Sequence, residues 1–202
     1  MIQDIIIPTC KTEMELAPFM ADIGGFSLGT NIITTCKKAS ASVNRNAGME
    51  LSESPITIMV DDDVTGFWEG WWQSLVLPLA TDPEVIMVSA RLISADGSIG
   101  AMMYGSGNME YSREEVKLVP TAVCAFRKTD LRFDENMIKA GWEDTLFGQE
   151  LKLRHPKGKI IINNRCKMVH KNEQKFQGEA FEHNKKHYHK RCDELGIAKG
   201  DR

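Results

Sequence analysis

Ile56-Thr57-Ile58-Met59-Val60-Asp61-Asp62-Asp63 decides how the chain is read. Five residues suited to a buried strand run directly into three carboxylates, which cannot be buried without a partner. Adjacent anions repel one another unless a cation or solvent compensates them, and no cation stands beside these in the sequence. Oxygen ligands at a strand end suit Mg2+ or Mn2+ holding a phosphate. An isolated acidic triplet is more often a solvated turn, but this one has company elsewhere in the chain.

Short apolar segments recur at 5–7, 31–34, 85–88 and 160–162, separated by connections long enough for crossover helices. This pattern predicts an α/β fold with a mainly parallel central sheet and helices on both faces. Ligands of such sheets bind beyond the carboxyl ends of the strands. Pro8 and Thr9, after the first strand, share that edge with the three aspartates and are candidates to face one site.

Phe67, Trp68, Trp71, Trp72, Leu75, Val76 and Leu79 recur at helical spacing, which predicts a helix within 64–78, following the acidic turn. Tryptophans in such a stripe usually pack against a sheet, and sugar stacking is the less common use. Thr81-Asp82-Pro83 should break this helix. The stretch 95–119 is rich in glycine and methionine and reads as a substrate-facing loop, or as a plain surface excursion. A second helix start is expected at Glu143-Asp144, with Leu146, Phe147, Leu151 and Leu153 behind it. A carboxylate there is held ionised by the exposed amides, which suits a proton acceptor, although an acidic first turn with no chemical role is commoner. His170 follows the strand-like Met168-Val169. A single histidine is usually structural, yet a neutral imidazole can complete a metal shell begun by aspartates.

Composition sets the limits. The 202 residues, 42% hydrophobic and 26% charged, suggest one compact domain over 1–202. No apolar run approaches the ~18 residues of a membrane span, and Met1-Ile2-Gln3-Asp4 lacks the basic start of a secretory signal. A soluble, cytoplasmic protein is expected. Cys10, Cys36, Cys124, Cys166 and Cys192 are scattered without a Cys-x-x-Cys pair, which points to reduced thiols. A formal charge of −3 argues against a globally basic nucleic-acid binder.

In their order, Ile5-Ile6-Ile7-Pro8, Ser42-Val43-Asn44-Arg45-Asn46-Ala47-Gly48, Asp61-Asp62-Asp63, Phe133-Asp134-Glu135, Gly141-Trp142-Glu143-Asp144 and His170 resemble the family 2 glycosyltransferases of the GT-A fold. The resemblance covers most of the chain, from about residue 4 to residue 171. It implies a single Rossmann-like GT-A domain that transfers a sugar from a nucleotide-sugar donor, a UDP-sugar first, with inversion at the anomeric carbon. Asp61 and Asp63 match the motif that holds Mn2+ or Mg2+ on the donor diphosphate, and His170 matches a frequent third metal ligand. Asp144 matches the catalytic base, and Arg45 and Asn46 match the donor-side segment. The candidate donor-binding residues are therefore Pro8, Thr9, Arg45, Asn46, Asp61, Asp62 and Asp63.

Thr34-Thr35-Cys36-Lys37-Lys38 departs from this pattern, standing where the family often has an Asp-rich turn for the base of a uridine donor. Leu146 stands where another acidic residue is common. No Gln-x-x-Arg-Trp segment is present, so a single-addition transferase fits better than a processive synthase. The stretch 171–202 is locally basic, with Lys171, Lys175, Lys185, Lys186, Lys190, Arg191, His183, His187 and His189. It reads as a helical tail or lid that touches the donor diphosphate, as a surface for an anionic acceptor, or as a solvated helix. The acceptor is then a saccharide hydroxyl, or a hydroxylated base in DNA. His183 and His187 with Cys192 lack a fourth ligand at familiar spacing, which argues against zinc. Two other classes compete. A nucleotidyltransferase would need a glycine-rich phosphate loop, which Ile7-Pro8-Thr9-Cys10-Lys11 does not provide. A non-catalytic nucleotide-sugar or carbohydrate-binding module would need no base at Asp144.

Overall fold

Side chains alternate across a strand, so a strand that is apolar at every position must be covered on both faces. The computed structural model describes residues 2–37, 39–98, 113–171 and 178–198. Its elements run β1 (Gln3–Pro8), α1 (Glu13–Gly25), β2 (Thr30–Thr35), α2 (Ala41–Leu51), β3 (Ile56–Val60), β4 (Val64–Thr65), α3 (Trp71–Thr81), β5 (Val85–Ile93), β6 (Arg113–Val116), β7 (Val123–Arg127), α4 (Glu143–Arg154), β8 (Lys159–His170) and α5 (Glu179–Leu195). Ile5, Ile7, Ile56, Ile58 and Val60 enter one core, closed by Leu16, Phe19 and Ile23 of α1 and by Trp71, Leu75 and Leu79 of α3. Ile6 and Met59 enter the other, closed by Met49 of α2 and by Phe147 and Leu151 of α4. Helices thus cover both faces, as the sequence suggests.

The sheet order is β2-β1-β3-β7-β5-β8-β4, with β6 also paired to β8. The expectation of a mainly parallel sheet is corrected to a mixed one. β1–β2, β1–β3 and β5–β8 are parallel, whereas β3–β7, β5–β7, β6–β8 and β4–β8 are antiparallel. Two of the antiparallel pairs come from β7, whose sequence Val-Cys-Ala-Phe-Arg lacks the Ile and Val density that marks β1, β3 and β5. It enters between β3 and β5 against their direction.

The helix expected within 64–78 begins later, at Trp71. Val64 and Thr65 instead pair with His170 and Val169 of β8. Gly66 and Gly70, with φ of 89° and 92°, then turn the chain before α3 can start, since left-handed backbone suits glycine. Trp71 is fully buried and Trp72 partly so, while Trp68 is exposed. α3 ends at Thr81, as Asp82-Pro83 requires. The glycine-rich stretch 95–119 falls largely outside the described residues. No helix among the described residues is long and apolar enough to cross a membrane.

Two close approaches fix α2. Ser40 caps it by accepting from the Val43 amide at 3.4 Å. Gly48 then lies so near β1 that a Cβ there would stand 2.2 Å from Ile6 Cγ2. At the opposite end of the strands from the aspartates, Asp4 ties β1 to the entry of β3. Its carboxylate accepts from the Ser54 amide at 2.9 Å, the Glu53 amide at 2.8 Å, the Ser52 hydroxyl at 3.0 Å and Asn31 Nδ2 at 3.1 Å. Burial alone would raise its pKa, but these hydrogen bonds, the Ser54 amide foremost, bring it down to about 2. A depressed carboxyl stabilises the fold above its unfolded pKa of ~3.9 and loses that contribution as pH falls through the folded value. Thermal unfolding should therefore show a drop in stability between about pH 4 and pH 2 that Asp4→Asn largely removes. An unchanged acid limb in the variant would assign that drop to other groups.

Candidate functional site

The β3 ladder continues one residue past Val60, because the Asp61 amide donates to Ala122 O at 2.8 Å. The Val64 amide then donates to Asp61 O at 3.3 Å and closes a turn around the acidic run. Directly after it, β4 pairs with the end of β8, placing His170 opposite Val64, and the Lys171 amide donates to Asp63 O at 3.0 Å. This short ladder brings a histidine from the far end of the sheet to the triplet. His170 Nε2 lies 3.2 Å from Asp63 Oδ1. Asp61, Asp63 and His170 each present a ligand atom within 4.8 Å of the others. Two carboxylate oxygens and one imidazole nitrogen fit a first-row divalent ion such as Mn2+, and serve Mg2+ with fewer hard donors.

The structure supplies the cations that the sequence does not place beside the triplet. Arg45, from α2, donates to both oxygens of Asp61 at 3.0 and 3.2 Å and to Glu143 Oε1 at 2.7 Å, with its guanidinium 5.4 Å from the centre of the Phe133 ring. Asp62 turns the other way, accepting from the Thr9 hydroxyl and from Lys11 Nζ at 2.9 Å. Burial works against the charged form of Arg45, yet Asp61 and Glu143 more than offset it and raise its pKa. Burial raises the pKa of Glu143, Arg45 opposes that shift and Asp144 adds to it.

The aspartates and their cations border a cleft of about 890 Å3, whereas His170, Glu143 and Asp144 are not part of its lining. Pro8, Thr9, Lys11, Arg45 and the three aspartates line it, together with 138–140 and the first turn of α5. Of the other residues that the sequence singles out, Asn46 is engaged with Phe133. Its side chain donates to Phe133 O at 2.9 Å and to Glu135 at 2.8 Å, and accepts from the Phe133 amide at 2.8 Å. Asp144 is 4% exposed and accepts from the Thr145 amide at 2.7 Å. Lys11 is missing from the sequence-based set, although it lies only three residues past Pro8 at the same strand end. The segment 138–140 carries no sequence signal at all.

That segment is held under backbone strain. Lys139 and Trp142 have φ of 55° and 71°, conformations that cost a non-glycine residue ~1–3 kcal/mol each. The fully buried Asn184 of α5 fixes the loop between them, accepting from the Ile138 amide at 2.8 Å and donating to Ile138 O at 2.8 Å and Gly141 O at 3.0 Å. The Ala41 amide holds Lys139 O at 2.9 Å. The basic stretch is thus built into the site's support. Tyr188 stacks on Trp142 at 4.8 Å, His187 pairs with Asp134 at 2.8 Å, and Arg191 reaches Glu150 at 3.3 Å and Glu194 at 2.7 Å.

Removing one member of a buried ion pair strands the other charge. Arg45→Met should lower the unfolding free energy by about 3–5 kcal/mol in urea titration, and adding Glu143→Leu should recover much of it. A loss below about 1 kcal/mol would show that the pair is not what holds α2 to α4.

No protein-family profile matches the chain, and no curated protein matches it in sequence. Solved structures do match in shape. A crystal structure of GalNAc-T7 with UDP, GalNAc and Mn2+ superposes with a TM-score of 0.63 at 10% identity, over 95% of this chain and 41% of that one. A crystal structure of TarS from S. aureus gives 0.57 at 14% identity, over 85% of this chain and 37% of that one. The chain thus spans about two fifths of the length of the structures that it matches. At such identities the likeness speaks for architecture alone, and that architecture is the GT-A fold of glycosyltransferases.

Proposed function

We propose that this chain is a metal-dependent glycosyltransferase that moves a sugar from a nucleotide-sugar donor to an acceptor hydroxyl, with inversion at the anomeric carbon. The observation that carries the reading is the convergence of Asp61, Asp63 and His170 within 4.8 Å at the strand-end edge of a GT-A sheet. The UDP and Mn2+ held by GalNAc-T7 favour a UDP-sugar donor and Mn2+, or Mg2+, here as well. A divalent ion bound by Asp61, Asp63 and His170 would supply Lewis-acid stabilisation to the charge that builds on a departing diphosphate.

The remaining chemistry falls to the protein. Arg45 orients Asp61 by holding both of its oxygens. Thr9 and Lys11 turn Asp62 away from that pair and toward the first strand's end. An acceptor hydroxyl is a poor nucleophile near neutral pH, so a base must take its proton as it attacks the face opposite the diphosphate. Asp144, beside Glu143 at the start of α4, takes the position of that base in the family resemblance, while Glu143 pairs with Arg45 and the Gly141 amide. The Asp144 carboxylate accepts from the Thr145 amide and is buried at the start of α4.

Two measurements test this reading. Calorimetric titration of UDP in Mn2+ should give binding that EDTA or Asp63→Ala weakens by about tenfold or more, as loss of a charged metal ligand implies. Binding that survives both would end the metal role. Asp144→Asn should lower UDP release from a UDP-sugar on the order of a hundredfold, the usual worth of a positioned base, while UDP affinity stays unchanged. Near-normal turnover would move the base elsewhere, and lost UDP binding would make Asp144 part of the donor pocket.

A further inference from the structure

The cleft has a part that neither the carboxylates nor their cations use. It is built from Ile138, which is 44% exposed, with Ala140, Ala180 and Phe181. Phe181 packs on Trp142, with ring centres 5.7 Å apart, and Trp142 in turn stacks on the fully buried Tyr188. The Phe181 ring is therefore backed by a rigid aromatic column, yet it stays partly exposed and lines the cleft. Glu179, two residues earlier at the start of α5, lines the same cleft and is exposed.

We propose that Phe181 and Glu179 form the acceptor-binding platform of this cleft, and that its ligand is an uncharged saccharide. The proposal rests on the glycosyltransferase reading above and names the class of its second substrate. A pyranose offers a C–H face that packs on an aromatic ring and a rim of hydroxyls that donate to a carboxylate. Ile138 and Ala140 extend the apolar floor, and Glu179 supplies the acceptor oxygens.

Charge argues against a polyanion here. The first turn of α5 carries Glu179 and Glu182, and the same cleft already holds Asp61, Asp62 and Asp63. Three of the basic residues further along α5 have acidic partners of their own. His187 meets Asp134, Arg191 meets Asp134, Glu150 and Glu194, and Lys190 meets Glu194. Lys11 and Arg45 are likewise engaged, by Asp62 and Asp61, and with the exposed Lys139 the lining's cations are still outnumbered by Asp61, Asp62, Asp63 and Glu179. The end of α5 that reaches the cleft is thus its acidic, aromatic end. Trp142 also directly precedes Glu143 and Asp144 in the chain, so one side chain joins the platform to the segment that carries the base.

Saturation-transfer NMR on the intact chain, loaded with UDP and diamagnetic Mg2+, tests this. The probes are glucose, galactose, N-acetylglucosamine and a short deoxythymidine oligonucleotide, and UDP affinity is measured by calorimetry on the same samples. At least one sugar should receive saturation from the native protein. Phe181→Ala should cut that signal by about fivefold or more, while Phe181→Trp, which keeps an aromatic face, preserves it. Glu179→Gln should weaken it less, and UDP affinity should stay unchanged in all three variants. An unaltered sugar signal in Phe181→Ala, a signal from the oligonucleotide in place of the sugars, or no sugar signal in a protein that binds UDP would each overturn the platform. Absent UDP binding in the native protein would instead overturn the donor reading on which the platform rests, so the two failures are separable.

Discussion

One buried guanidinium holds the candidate site together. Arg45 meets Asp61 at the end of β3 and Glu143 at the start of α4, while its flat face lies against Phe133. Taking such a charge out of water is costly unless anions meet it with good geometry. The planar fork of arginine can serve two carboxylates at once, which a lysine ammonium cannot do with the same directionality. The neighbouring residue, Asn46, saturates the backbone of Phe133, so two successive side chains of α2 fix the segment against which α4 begins. This works only because α2 lies tight against β1, with Gly48 beside Ile6. Helix position, strand end and acidic turn therefore form one mechanical unit.

Much of this was legible in the sequence wherever the signal is local. The apolar runs mark β1, β2, β3, β5 and the start of β8, and the acidic pair at Glu143 marks the start of α4. The aspartates at the end of β3 announce a charged edge, and the order of motifs brings His170 into the same set. What escaped depends on distant partners or on small residues. β7 is built from Val, Cys, Ala and Phe and looks like any buried stretch, so the mixed sheet could not be read. β4 is two residues long and exists only because β8 pairs with it. The salt bridge of Arg45 to Glu143 spans 98 residues and leaves no local trace.

The basic stretch toward residue 198 makes contacts that composition does not announce. Its charges suggest a surface for phosphates, yet the helix they form turns His187 and Arg191 toward acidic partners on the body. Its buried Asn184 closes three hydrogen bonds with the segment 138–141, which no pattern of lysines would suggest. α5 acts as a strut under one wall of the cleft.

The place of β7 in the sheet has a consequence for how the chain reaches this structure. β2, β1 and β3 form one paired set, β5 with β8, β6 and β4 forms another, and among the described residues β7 alone joins them. Both edges that β7 fills, on β3 and on β5, belong to strands that precede it in the chain. On a ribosome, the edges of β3 and β5 that β7 covers would emerge open, on strands that are largely apolar, and stay so until residues 123–127 follow. Such edges are templates for pairing between chains. Until β7 is made both edges stand open to such pairing, and shielding them is a task suited to a chaperone.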